Sequence, residues 1–135
     1  MATITVKKDM LEGLINQKDK PILFLDFWAE WCGPCRTFGP IFERASELHP
    51  DITFGKVDTE AERELASMFG VQSIPTLVVF REGIGLYQEA GALPSPALEQ
   101  LIAQVRGMNM DEVRAEVERR SSEPDQPWEL ATDEE

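Results

Sequence analysis

Hydrophobic positions along the chain follow two rhythms. Thr3–Val6 alternates weakly with period two and predicts a short edge strand. Ile22–Phe27 is a near-continuous apolar run, the pattern of a central strand covered on both faces. Ile52–Val57 repeats that pattern. Thr76–Phe80 is β-branched and aromatic, and Leu86–Ala90 follows it after a turn at Gly83. Between these runs the apolar residues recur every three or four positions. Met10, Leu11, Leu14 and Ile15 form one stripe, with Asp9 and Glu12 placed as its capping pair. Pro34 to about Leu48 predicts a long helix kinked at Pro40, where a proline removes a backbone donor. Thr59 with Glu62 predicts a capped helix that buries Leu65, Ala66, Met68 and Phe69 and ends at Gly70. Ser95-Pro96 opens a further helix with Leu98, Leu101, Ile102 and Val105 inward. The order β-α-β-α-β-α-β-β-α predicts an α/β fold, a central mixed sheet flanked by helices on both faces.

The charge divides the chain. Of 25 acidic and 13 basic residues, 10 acidic and 3 basic ones lie in residues 107–135, so most of the net −12 sits in the last 29 positions. We therefore read 1–106 as a globular domain, 107–120 as an extra helix and 121–135 as an acidic, disordered tail. Asn109 and Glu112 can cap that helix, with Met110, Val113 and Val117 as a narrow stripe. Trp128-Glu129-Leu130 interrupts the tail with apolar bulk. An acidic chain of this kind does not fit binding driven by neutralised phosphates, so neither nucleic acid nor a membrane surface is expected as partner. Two cysteines and one histidine leave a tetrahedral zinc site short of ligands, and no metal is expected. The N-terminus lacks the apolar core of a secretory signal, and no run is long enough to span a bilayer; a cytoplasmic location is the default expectation.

Chemistry concentrates at Trp31-Cys32-Gly33-Pro34-Cys35, directly after a buried strand and opening a helix. Two intervening residues on a first helical turn bring the sulfurs close enough to join. At a helix N-terminus the dipole and free N–H groups favour a thiolate, which makes Cys32 a nucleophile held at the exposed end. Cys35, one turn further in, is shielded and suited to resolving a mixed disulfide. The alternative, two ordinary buried cysteines, is disfavoured by the strand before and the helix after. Asp26 stands in an apolar run, where a carboxylate is unfavourable unless paired or protonated, so burial should raise its pKa. A structural Asp with satisfied hydrogen bonds is the competing reading. His49 ends the second helix, and a helix C-terminal cation or plain surface residue is its expected role.

The segment Phe24-Leu25-Asp26-Phe27-Trp28-Ala29-Glu30-Trp31-Cys32-Gly33-Pro34-Cys35-Arg36 resembles the active-site segment of the thioredoxin family. The resemblance continues through Pro40, Lys56-Val57-Asp58, Ser73-Ile74-Pro75-Thr76-Leu77 and Gly91-Ala92-Leu93, covering roughly residues 1–106. It implies a thioredoxin-like fold and reduction of disulfides in other proteins through a Cys32–Cys35 redox pair. It implies that Asp26 accepts the Cys35 proton with Lys56 as its partner, and that Gly33 and Pro34 tune the pair. It further implies a cis bond before Pro75, and a docking surface of Trp31, Ile74, Pro75, Thr76, Gly91 and Ala92, with Trp28 packed beneath. An NADPH-dependent thioredoxin reductase is the implied electron donor, so the chain needs no cofactor of its own, and a monomer is expected. Two departures stand out: Arg36 replaces the frequent lysine, and Ala90 the common valine of the docking loop. The alternative function is a redox-capable client-binding or co-chaperone module that uses the C-terminal extension.

Overall fold

The computed structural model describes residues 2–122. Five strands form one sheet: β1 (Ile4–Thr5), β2 (Ile22–Trp28), β3 (Thr53–Asp58), β4 (Thr76–Arg81) and β5 (Ile84–Ala90). Their spatial order is β1-β3-β2-β4-β5. The first three run parallel, while β4 is antiparallel to β2 and β5 antiparallel to β4. The sheet is therefore mixed, with the apolar run of β2 at its centre and β1 on an edge. The helices are α1 (Leu11–Ile15, preceded by a 3₁₀ turn at Lys8–Met10), α2 (Gly33–Leu48), α3 (Arg63–Met68), α4 (Ser95–Gly107) and α5 (Met110–Ser122).

The period-two alternation of β2 explains the two cores. Ile22 and Phe24 pack with Phe38, Phe42 and Ala45 of α2 and with Leu98, Ile102 and Val105 of α4. Leu23, Leu25 and Phe27 face the other way, onto Leu11 of α1 and Leu65 of α3. By the same alternation Asp26 and Trp28 fall on the α2 face. On β3, Phe54 belongs to the α2 side and Val57 to the other, so Lys56 joins Asp26 on the α2 face. Pro40 lies inside α2, which runs unbroken through it.

Turn chemistry matches the glycine positions. The two-residue hairpin loop Glu82-Gly83 has φ of 54° and 82°, the pair of left-handed residues that a type I′ turn requires. Gly70, at φ 64°, ends α3: its N–H donates to Ser67 O and that of Val71 to Ala66 O, the paired bonds of a Schellman cap.

Two capping expectations fail. Asp9 caps nothing, because the 3₁₀ turn already begins at Lys8 and carries no side-chain cap. Thr59 does not cap α3 either; its hydroxyl donates to Trp28 O at 3.0 Å, and Glu62 takes the cap position without a side-chain bond. Met68, expected in the core, is 62% exposed. Leu65 lands in the core with Ala66 and Phe69 packed against the same cluster, and Met68 falls outside that group.

Chain contacts divide between Val105 and Arg106. In the second unit, Asn109 Oδ1 accepts from Glu112 N–H at 3.2 Å, capping α5 as its sequence implied. Val117 is exposed, so the expected apolar stripe is shorter than three residues. Arg119 and Arg120 both pair with Glu116, which supports the helix from its polar side. The expected tail, including Trp128-Glu129-Leu130, lies outside the described residues apart from its first two positions, which continue α5.

Candidate active site

The end of β2 carries the chain into the loop Ala29–Trp31 and onto α2. Cys32 is the N-cap of that helix: its backbone is extended and its Sγ accepts from Cys35 N–H at 3.2 Å. Gly33 and Pro34 fill the first turn, where proline's missing donor has no intrahelical partner to lose. Cys32 and Cys35 are joined as a disulfide with Cα atoms 5.3 Å apart. The expected contrast in exposure is absent, since Cys32 is 4% and Cys35 5% exposed. What separates them is position. Cys32 Sγ sits over the helix N-terminus and 3.6 Å from Ile74 O, whereas Cys35 lies against the cleft behind the helix.

Both cysteines pack with Ala29, and Trp28 and Ile74 pack against this group. The Ile74–Pro75 peptide bond is cis, and Thr76 begins β4 immediately after it. Pro75 O accepts from Gly91 N–H at 2.8 Å, so the Pro75 and Gly91 loops meet beside the disulfide. Gly91, at φ 114°, has a conformation that disfavours a side chain. Around the sulfurs, Trp31 (66% exposed), Gly33, Gly91 and Ala92 are open to solvent. Trp28 is half-buried beneath.

Asp26 is 1% exposed, and no hydrogen-bond donor among the described residues reaches either of its oxygens. Burial pushes its pKa up from 3.8 to about 7, against the opposing pull of Lys56. The two residues are register partners on β2 and β3. Lys56 makes no hydrogen bond to the carboxylate; its ammonium lies 4.8 Å from the centre of the Trp28 ring, a cation–π contact.

Three supporting contacts were invisible in the sequence. Trp31 Nε1 donates to Glu60 Oε2 at 3.4 Å, tying the exposed indole to the β3–α3 loop. Arg36 Nη2 donates to Glu30 O at 3.0 Å, closing the active-site loop on itself. Thr59 anchors the same end of β2 through Trp28 O. Each joins residues whose spacing follows no helix or strand period. His49 lies away from the disulfide at the end of α2, 2.8 Å from Glu99 of α4. Among the described residues no helix is long and apolar enough to cross a membrane.

Comparison with known proteins agrees with this geometry. Residues 2–104 match the family model described as thioredoxin. A Streptomyces coelicolor protein provisionally named thioredoxin 2 is 46% identical over 122 residues, 90% of each chain. A match of that length reaches past residue 106, so part of the extension expected to lie outside the resemblance is shared with this relative. The thioredoxin of Alicyclobacillus acidocaldarius is 42% identical over 105 residues, 77% of this chain and 98% of its own. Among solved structures, the X-ray structure of Fasciola hepatica thioredoxin superposes with a TM-score of 0.69 at 31% identity, covering 76% of this chain and 97% of that one.

Proposed function

The chain belongs to the thioredoxin family and is a thioredoxin-type disulfide reductase; from that premise we propose how its residues divide the work. In the reduced protein the Cys32 thiolate, stabilised by the N–H groups at the start of α2, attacks one sulfur of a substrate disulfide. A bond forms between Cys32 Sγ and that sulfur, and the other substrate sulfur leaves as a thiolate. Cys35 then gives its proton to Asp26 and attacks Cys32 Sγ. The Cys32–Cys35 bond forms, the mixed disulfide breaks, and its electron pair leaves on the substrate sulfur, which takes up a proton. Two electrons have passed from the dithiol to the substrate.

The observation that carries this reading is the Cys32–Cys35 pair at a helix N-terminus, with Cys32 Sγ facing the Ile74 carbonyl. Asp26 suits proton transfer because its pKa, about 7, balances acceptance against release near neutral pH. Trp31, Ile74, Pro75, Thr76, Gly91 and Ala92 form the docking surface. Extended substrate backbone aligns there along Ile74 and Thr76 in the manner of an added strand. Gly33 and Pro34 hold the first turn open and set the stability of the thiolate. The protein is a monomer in the cytoplasm, re-reduced by an NADPH-dependent thioredoxin reductase. The comparisons favour this redox role over a client-binding module.

Insulin reduction coupled to a thioredoxin reductase tests the reading. Turnover should fall to background in Cys32→Ser. Retained turnover in a folded Cys32→Ser protein would remove the mechanism.

A further inference from the structure

Trp31 is 66% exposed on the surface proposed for docking, yet it is held at both ends. Its main chain belongs to the turn Ala29–Cys32, which Cys32 N–H closes on Ala29 O at 3.2 Å. That bond fixes the ends of the turn and leaves its central peptide, between Glu30 and Trp31, without a turn bond of its own. Arg36 supplies one. From the first turns of α2 its guanidinium reaches back, and Nη2 donates to Glu30 O at 3.0 Å. Its backbone N–H bonds Cys32 O at 3.3 Å. A single helix residue thus grips the turn both in the middle and at its end.

The indole is held by a different part of the chain. Its Nε1 donates to Glu60 Oε2 at 3.4 Å, while Glu60 Oε1 faces Arg63 at 3.7 Å. Glu60 N–H donates to Asp58 Oδ1 at 2.9 Å, and Thr59 beside it bonds Trp28 O through its N–H and its hydroxyl. At 3.4 Å the indole bond is long and holds loosely on its own. The guanidinium bond to the turn is shorter and charge-assisted, so it is the stronger of the two restraints. An exposed aromatic left loose must be ordered by each partner on binding, which lowers affinity. One ordered beforehand avoids that loss.

We propose that Arg36 is a positioning residue for protein substrates: by holding the Glu30–Trp31 peptide, it sets the Trp31 indole in its docking orientation before a substrate arrives. The inference rests on the reading of Trp31 as part of the docking surface. The sulfur chemistry is unchanged, and no proton or bond is exchanged at Arg36. A competing role for the same side chain is a positive charge that stabilises the Cys32 thiolate. That role would speed attack on every disulfide alike, whatever its size, whereas positioning serves only substrates that reach Trp31.

Size therefore separates the two roles. Reduced protein is mixed near neutral pH with one of two uncharged disulfides: a peptide long enough to extend over Trp31, or bis(2-hydroxyethyl) disulfide, too small to reach it. Rapid acid quench, alkylation and mass spectrometry follow oxidation of the Cys32–Cys35 pair and give the second-order rate. Arg36 is exposed, and Arg36→Met keeps the side chain long and helix-compatible. In that variant the peptide rate should fall by about 2- to 10-fold, the range for ordering one large side chain. The small-disulfide rate should stay within about 1.5-fold. The loss should persist in about 0.5 M salt, where exposed charges are screened. Trp31→Ala should also slow the peptide, and Arg36→Met should add nothing in that background. Equal slowing of both disulfides overturns the proposal in favour of the charge. So does a loss that vanishes in salt, or one that persists in full without Trp31. A wild-type peptide rate in Arg36→Met, where Trp31→Ala is slow, overturns it too. Should the methionine variant melt early, Arg36→Ala decides by the same criteria. A wild-type peptide rate in Trp31→Ala would instead overturn the docking role of Trp31, and the positioning role with it.

Discussion

A buried carboxylate reports its surroundings through pH. Asp26 titrates near 3.8 when unfolded and near 7 when folded, so between these values the native state holds a proton that the unfolded chain has released. Its contribution to stability is fully present below pH 3.8 and is lost as pH rises through 7. Asp26→Asn removes the titration. Its stability relative to wild type should therefore grow between pH 5 and 7 by an amount on the order of 2–3 kcal/mol, and level off above that. Urea denaturation across this range measures it, and parallel curves for the two proteins would show that Asp26 is not raised. At this scale the sequence was informative wherever chemistry was local: Cys32 and Cys35 by their spacing, Asp26 by its apolar neighbours. Glu60 was not legible. Its role comes from Trp31, which reaches it across the fold.

Elements were placed better than their ends. The strands and helices followed from alternation and periodicity, because burying one face fixes register. The cap at Asp9 failed because the 3₁₀ turn begins one residue earlier, and that at Thr59 because its hydroxyl donates to the Trp28 carbonyl. Gly70, whose role depends on its own φ, was legible from the sequence. Gly55 was not. A Cβ there would come within 2.5 Å of Val6 Cγ2 and 3.1 Å of Leu25 Cδ2, because β3 is flanked closely on that side. Gly55→Ala should destabilise the fold by roughly 1–3 kcal/mol, the usual penalty for overpacking a filled core. A midpoint in guanidinium unchanged from wild type would show that Val6 moves aside freely.

At the scale of the molecule, the contact division after Val105 and the match of residues 2–104 to the family model assign the redox chemistry to the first unit. We expect a chain ending at Arg106 to fold and to reduce insulin within about twofold of the full protein, since the site and both cores lie before that point. A larger loss, with the melting transition retained, would give the extension a part in catalysis. The Streptomyces relative gives reason to look, because its similarity extends into α5.

The sequence by itself determined the elements, their order, the mixed sheet and the cysteine pair, since these follow from periodicity and from neighbours a few residues apart. It also carried the concentration of acidic charge beyond residue 106. Only the tertiary structure decided the meeting of Pro75 with Gly91, the tie between Trp31 and Glu60, and the near-equal burial of the two sulfurs. Those depend on which distant atoms reach a group first, and one-dimensional spacing does not encode that competition.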